Sequence, residues 1–408
     1  MTADSLTRAW PARVTVQLTV LAAGAFVYVT AEIVPVGALP AIAADLGVSE
    51  ALVGTLLASY ALVAAVSTVP LVRLTAHWPR RRTLLLTLVC LTVSQLISAL
   101  APNFAVLAGG RVLCALTHGL MWSVVAPIGV RLVPATHAGR ATTAVYAGTA
   151  LALVVGNPLT AAMSELWGWR TAVVVVTAAA AAVTVAAWGT LPPMVMSEDA
   201  IETIRRHERH HRNGRLVTLS VLTLVGVTGH FISYTFIVVI IRDVVGVHGP
   251  HLAWLLAGFG IAGLVSMAVM ARPLDRWPKA SVVGCLAALT TAFAVLTTLA
   301  VDHRAGLLTL IVGVAAIVLW GAASTSMPPM LQAAAMRSAP ADPDGASGLY
   351  IAAFQVGIMA GSLAGGLLYE NAGLTAMTAT SAALIVVALG CVAFTRGLFL
   401  VPSATSDK

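Results

Sequence analysis

Charge is what this chain has least of. Only 10% of its 408 residues are charged, and acids are scarcer than bases, with 16 Asp and Glu against 23 Lys and Arg. A soluble domain carries roughly 25% charged residues. A chain that is 59% hydrophobic, with mean hydropathy +0.93, has too little polar surface to stay in water. Cysteine is also scarce. Cys90, Cys114, Cys285 and Cys391 fall in four separate apolar runs, with neither metal spacing nor a disulfide pattern. Thr2 to Arg13 is a short polar tail with no small-residue cleavage site after a short apolar stretch, so no cleavable leader is expected. GFGIAG (258–263) has the G-x-G-x-x-G spacing, but it lies inside an apolar run with no strand before it. A dinucleotide site needs a βαβ setting, and small residues at membrane depth instead let helices approach closely. No nucleotide drive, cofactor or metal is expected.

What the chain has in abundance is apolar runs of about 20 residues, each long enough to cross a bilayer. Backbone groups in lipid must be satisfied within the segment, so these runs are expected to be helices. Twelve are read, at 14–38, 51–72, 84–101, 105–133, 141–164, 170–191, 216–241, 252–271, 281–300, 306–334, 346–369 and 375–399. The only long hydrophilic stretch, SEDAIETIRRHERHHRNGR (197–215), separates a six-helix bundle at 1–196 from another at 216–408. Its His207, His210 and His211 lie among five arginines and read as a solvated linker. With both ends inside, 19 of the 23 Lys and Arg fall in inside loops and tails, and Arg170, Arg242 and Arg304 fall outside. That split places both termini in the cytoplasm. It also accounts for the basic excess without a nucleic-acid partner.

The halves repeat each other. A shift of 199 residues lays LLASYALVAAVS (56–67) over LLAGFGIAGLVS (255–266), Arg73 over Arg272, Trp78 over Trp277, Pro79 over Pro278 and Arg80 over Lys279. Two parallel repeats with a site between them describe a secondary transporter.

Specific stretches carry a resemblance. TAEIVPVGALPAIAADLGVS (30–49), RLTAHWPRRRTLL (73–85), RVLCALTHG (111–119) and VVGNPLTAAMSELWGWR (154–170) resemble the first helix, the helix two–three loop, the start of helix four and the helix-five signature of the major facilitator superfamily. The likeness is to its twelve-helix drug:proton antiporters, and most to bacterial sugar-efflux and chloramphenicol-efflux transporters. It covers essentially the whole chain and implies an all-α fold of two pseudo-symmetric six-helix bundles. The loop pattern usually holds Asp where Ala76 stands, while the second copy keeps Asp275-Arg276, and Asn157 stands where Gly is commoner. Arg73, Arg80, Arg81 and Arg82, with Arg272, Asp275, Arg276 and Lys279, are expected to latch the cytoplasmic side, less firmly in the N-terminal half.

Glu32 is the only acid well inside a span, with Pro35 three residues on. A charge at membrane depth costs a few kcal/mol at least and defaults to function. Glu32 is therefore the candidate proton carrier, or the partner of a cationic substrate. The alternative is a structural acid bonded to a neighbour such as Tyr28, one turn below. Arg111, His118 and Trp122, spaced by seven and four, share one face of the fourth span with Ala115 and Gly129. Arg111 is either a counter-charge or a cap on backbone carbonyls, and His118 either a proton group or a satisfied core imidazole. His230 and Tyr234 share a face of the seventh span, and the resemblance, which puts helices one, four, seven and ten around the cavity, makes His230 a further candidate for proton coupling. Tyr28, Trp122, Tyr146, Asn157, Tyr234 and Gln355 are candidate cavity residues, of which Tyr146, Asn157 and Gln355 also suit interhelical contacts.

The expected function is proton-coupled export of small amphipathic molecules, drug-like or sugar-like, by a single chain in the cytoplasmic membrane. A sugar or metabolite facilitator of the same fold is the alternative, and an intramembrane enzyme or sensor the remote one. One buried acid and two scattered histidines form no recognisable catalytic set.

Overall fold

The structure is a computed structural model and describes residues 10–75, 78–134, 138–194, 213–302, 306–339, 343–395 and 397–399. The described residues hold helices and no strand. The first six crossings are Ala12–Gly37, Glu50–Leu74, Arg80–Ala99, Phe104–Arg131, a broken helix from Ala138 to Trp167, and Trp169–Thr190. Gly214–Tyr234 opens the seventh, followed by Pro250–Arg276, Pro278–Asp302 and Leu307–Ser338. The run Pro343–Phe394 holds the last two, parted at Gly373. With φ 77° and ψ −178°, that residue sits in backbone space that only glycine enters readily. Among the described residues, eleven helices are long and apolar enough to cross a membrane, the last of them counted through this kink. Large apolar side chains such as Phe394, Leu307 and Trp254 stand exposed on the outside, as lipid requires. The linker at 197–215 lies almost wholly outside the described residues.

Two crossings differ from the single runs expected of them. The fifth, expected at 141–164, carries a π turn at Ala152–Gly156 before Asn157–Trp167. Pro158 has no N–H to give to the preceding turn, and a π turn absorbs that defect. The seventh, expected to run to 241, breaks after Tyr234 and resumes at Ile237–Ile240. There the Thr235 hydroxyl donates back to the Phe231 carbonyl (2.8 Å) and the Phe236 N–H turns to the Ser233 carbonyl (3.0 Å). Such back-bonding by a hydroxyl bends helices.

The internal repeat is visible in the backbone. The first span ends at Ala38 (φ −105°, ψ 10°) and the seventh breaks at Phe236 (φ −109°, ψ 22°), one residue off the 199-residue register. The fifth span crosses the first so closely that a Cβ on Gly148 would lie 1.9 Å from the Ala22 carbonyl oxygen. In the other half, the eleventh crosses the seventh a little less closely, and a Cβ on Gly361 would lie 2.6 Å from the Thr228 carbonyl oxygen. Small residues at these crossings allow the approach. Across the two halves, the second span packs on the eleventh and the eighth on the fifth.

Candidate transport site

Pro35 sets the site. It cannot donate to the carbonyl one turn back, so Ala31 is left with an unpaired acceptor inside the membrane. Arg111 fills it. Its guanidinium donates to the Ala31 carbonyl (3.1 Å) and to the Glu32 backbone carbonyl (2.7 Å), and lies over the Tyr60 ring, 5.3 Å from its centre. Of the two roles open to Arg111 in the sequence, the geometry is that of a cap on carbonyls between helices. The side chain is buried, and its Nε has no partner.

The Glu32 carboxylate turns to the fourth span, where Oε2 lies 3.9 Å from His118 Nδ1. Tyr28, one turn below, does not hold it. The Tyr28 hydroxyl bonds the Cys114 carbonyl (3.0 Å) and Thr117 Oγ1 (3.1 Å), and the side chain is fully buried. His118 is engaged on both nitrogens. Gln355 Nε2 lies 3.1 Å from Nε2, and the Tyr60 hydroxyl 3.0 Å from Nδ1. An amide N–H can only donate, so Nε2 accepts and Nδ1 carries the proton, facing Tyr60 and Glu32. Tyr60 then passes its own proton toward Cys114 Sγ at 3.4 Å. Gln355 belongs to the eleventh span, so the imidazole joins the two halves. Edge contacts from Tyr28 (5.9 Å) and Tyr60 (5.5 Å) fix the ring. Trp122 lies 6.3 Å away and stacks on the half-exposed Tyr146 at 5.7 Å and 10°.

The second histidine is in different company. His230 Nδ1 accepts from Trp320 Nε1 (3.0 Å), and the ring stacks on Tyr234 at 5.1 Å. Phe231, Phe259 and Phe293 complete an aromatic cluster around this pair. Asn157 is buried with its Oδ1 unpaired, against the backbone of Gly37 at the end of the first span.

Of the basic residues expected to latch the cytoplasmic side, Arg81, Arg82 and Lys279 make their contacts within their own halves. Arg81 donates to the Trp188 carbonyl, Arg82 lies 4.7 Å over Trp78, and Arg80 is mostly buried. Lys279 donates to the Ala393 (2.8 Å) and Thr395 (3.2 Å) carbonyls at the end of the twelfth span, where cations suit the helix dipole. The side chains of Arg73, Arg272, Asp275 and Arg276, and all of Ala76 and His77, lie outside the described residues.

Sequence reasoning missed Tyr60, Cys114 and Thr117. The only signal for Tyr60 was a polar tip inside LLASYALVAAVS, a stretch read for its repeat alone. It also missed the ties at the face opposite the one expected to be cytoplasmic. There Asp45, on the short helix Leu39–Leu46, accepts from Trp169 Nε1 (3.1 Å) and from Arg170, which also reaches the Ala101 carbonyl (2.7 Å). The Arg170 guanidinium holds the Asp45 carboxyl below its ordinary range.

A partly buried acid beside a histidine, at the broken end of one of twelve crossings, suits a carrier. The Major Facilitator Superfamily model matches residues 21–345 and 219–407. The chain belongs to the Major Facilitator Superfamily. It is a multi-pass secondary transporter acting on a small-molecule substrate, and not an enzyme. Curated relatives include the chloramphenicol efflux pumps of Mycobacterium tuberculosis strains ATCC 25618/H37Rv and CDC 1551/Oshkosh. Each is 64% identical over 402 residues, covering 98% of this chain and 97% of the relative. Among solved structures, a nucleoside transporter superimposes with TM-score 0.74 at 12% identity, covering 93% of this chain and 99% of that one. A D-xylose–proton symporter does so with TM-score 0.73 at 15% identity, covering 93% and 97%. Both show the fold.

Proposed function

We propose that this transporter is a proton-coupled exporter of neutral, amphipathic drugs, with chloramphenicol the substrate to test first. The observation that carries the coupling is the Glu32 carboxylate 3.9 Å from a His118 that is itself bonded to the opposite half. The substrate assignment rests on the 64% identity to relatives named as chloramphenicol efflux pumps.

The cycle follows from where charge is tolerated. An ionised Glu32 makes the first span expensive to move through an apolar interface, and a protonated one removes that cost. Glu32 takes a proton from the outside, carries it as the halves 1–196 and 216–408 rock about the linker, and releases it inward. Arg111 holds the turn at Ala31 and Glu32 in place, and His118 positions the carboxylate and senses the opposite half through Gln355. The stacked Trp122 and Tyr146, with the Tyr234 face of the aromatic cluster, offer apolar walls for a substrate ring. At about 150 mV, one inward proton releases roughly 3.5 kcal/mol. At about 1.4 kcal/mol per tenfold, that supports a gradient of a few hundredfold for a neutral substrate. The reading places a single chain in the cytoplasmic membrane with both termini inside, on the 19-to-3 split of basic residues.

The test is uptake of radiolabelled chloramphenicol by inverted vesicles from a host lacking its own exporters. Accumulation is expected on imposing a proton gradient and is lost when an ionophore collapses it. Equal uptake with and without the gradient would make the protein a facilitator.

A further inference from the structure

We propose that the Glu50–Arg242–Tyr369 cluster, with Phe236 packed against it, is the outer gate of the transport cycle, opened when Arg242 lets go of Glu50 and keeps Asp243. This goes beyond the substrate and coupling proposed above and holds whatever the transporter carries.

Glu50 begins the second span, in the first half. Its two carboxylate oxygens are both taken by the other half. Arg242 donates to Oε1 (3.0 Å) and the Tyr369 hydroxyl to Oε2 (2.6 Å). The neighbouring Ser49 hydroxyl donates to Glu370 (2.6 Å), again across the halves. Arg242 is shared. While one nitrogen serves Glu50, its Nε and other terminal nitrogen grip Asp243 at 2.6 and 2.7 Å. Asp243 follows Arg242 in the chain and travels with it. Separation of the halves therefore leaves the guanidinium neutralised by Asp243, while Glu50, the Tyr369 hydroxyl and the Ser49–Glu370 pair exchange their partners for water. A cation with a resident counter-ion and a second, removable one is a two-state element rather than a fixed staple. The first bond is expendable, since stripping a partly buried charge of every partner is what makes such pairs costly to break.

The apolar part lies alongside. Phe236, at the break in the seventh span, is fully buried, and its ring is 5.3 Å from Tyr369. It presses on Gly54 of the second span so closely that a Cβ there would meet its ring at 2.7 Å. The matching break in the first span has Ala38. The repeat thus keeps the bend in both halves but puts the plug in one. No contact of this kind helps fold either half alone, because the second and seventh spans belong to different halves.

Nitroxide labels at Ala105→Cys and His251→Cys, exposed outer positions in opposite halves, read the gate as a distance distribution in a Cys90→Ser, Cys391→Ser background. Glu50→Gln is expected to raise the long-distance population about tenfold, the worth of one charge-assisted hydrogen bond. Phe236→Ala is expected to move it the same way. Asp243→Asn is expected to move it in reverse and to slow export, because the open state then strands the guanidinium. An unchanged distribution in Glu50→Gln would overturn the gate, as would Asp243→Asn shifting with it rather than against it. If Phe236→Ala fails to fold, the opposed pair decides alone.

Discussion

In the first half, the turn before the break at Ala38 carries Glu32 and Pro35, and Arg111 and His118 close on it from the fourth span. In the second half, the turn before the break at Phe236 carries His230, Phe231 and Tyr234, and Trp320 closes on it with Phe259 and Phe293 behind. The bend is common to both, while the chemistry is not. Bends and crossings depend on where helices must touch, as at Gly148 and Gly361, and a duplicated bundle keeps them. Charge at membrane depth is expensive, so a carrier gains from confining it to one half and leaving the other as apolar wall. The only bond from the charged set to the opposite half is the one between His118 and Gln355 among those described for that set.

The largest expected break of this asymmetry is Arg111→Lys. A lysine keeps the charge but has no planar fork, so it cannot serve the Ala31 and Glu32 carbonyls together. Loss of one charge-assisted bond is expected to lower stability by about 1.5–3 kcal/mol, read from thermal unfolding in detergent. Unchanged unfolding would mean that Pro35 needs no cap. Next come the two histidines. His118→Asn is expected to reduce uphill export about tenfold, the worth of one positioned polar partner. His230→Phe is expected to keep the dependence on the proton gradient and to weaken substrate binding by about 1 kcal/mol, in line with the value of an aromatic pair. If His230→Phe uncouples transport and His118→Asn does not, the assignment of roles to the halves is reversed. The smallest effect is at the Asp45–Arg170 tie of the first half. Asp45→Asn should cost under about 0.5 kcal/mol, because the pair with Arg170 is exposed. Its folded pKa is lowered, so the stabilisation is present above the usual carboxylate pKa and fades only as pH falls through the lowered value. A melting temperature that instead drops as pH rises from 5 to 7 in wild type, and not in Asp45→Asn, would contradict that sign.

The membrane class, the spans and the family were legible because length, hydropathy and the two copies of the loop are properties of the chain itself. Glu32 and Pro35 were legible for the same reason: an acid and a proline are conspicuous in an apolar run, and the carbonyl freed by Pro35 could be foreseen. What could not be read was who would fill it. The pairing of Arg111 with Ala31, 80 residues apart, and of His118 with Gln355, 237 apart, depends on how helices cross. The same holds for Tyr60, whose sequence context is all packing. Glu50 and Arg242 looked like loop charges outside the membrane, and only the fold brings them together across the halves. The breaks at Ala152–Gly156 and Thr235–Phe236 escaped notice because hydropathy counts apolar residues and is blind to backbone hydrogen bonds.

The central claim is that Glu32 carries the coupling proton, and Glu32→Gln tests it most directly. Glutamine has the shape of the protonated acid but cannot release a proton. In inverted vesicles under an imposed proton gradient, the variant is expected to lose accumulation of chloramphenicol while still binding it and exchanging it down its own gradient. Vesicles of Glu32→Gln that concentrate the drug as wild type does, with the same dependence on pH, would contradict the account and leave Glu32 a structural acid beside His118.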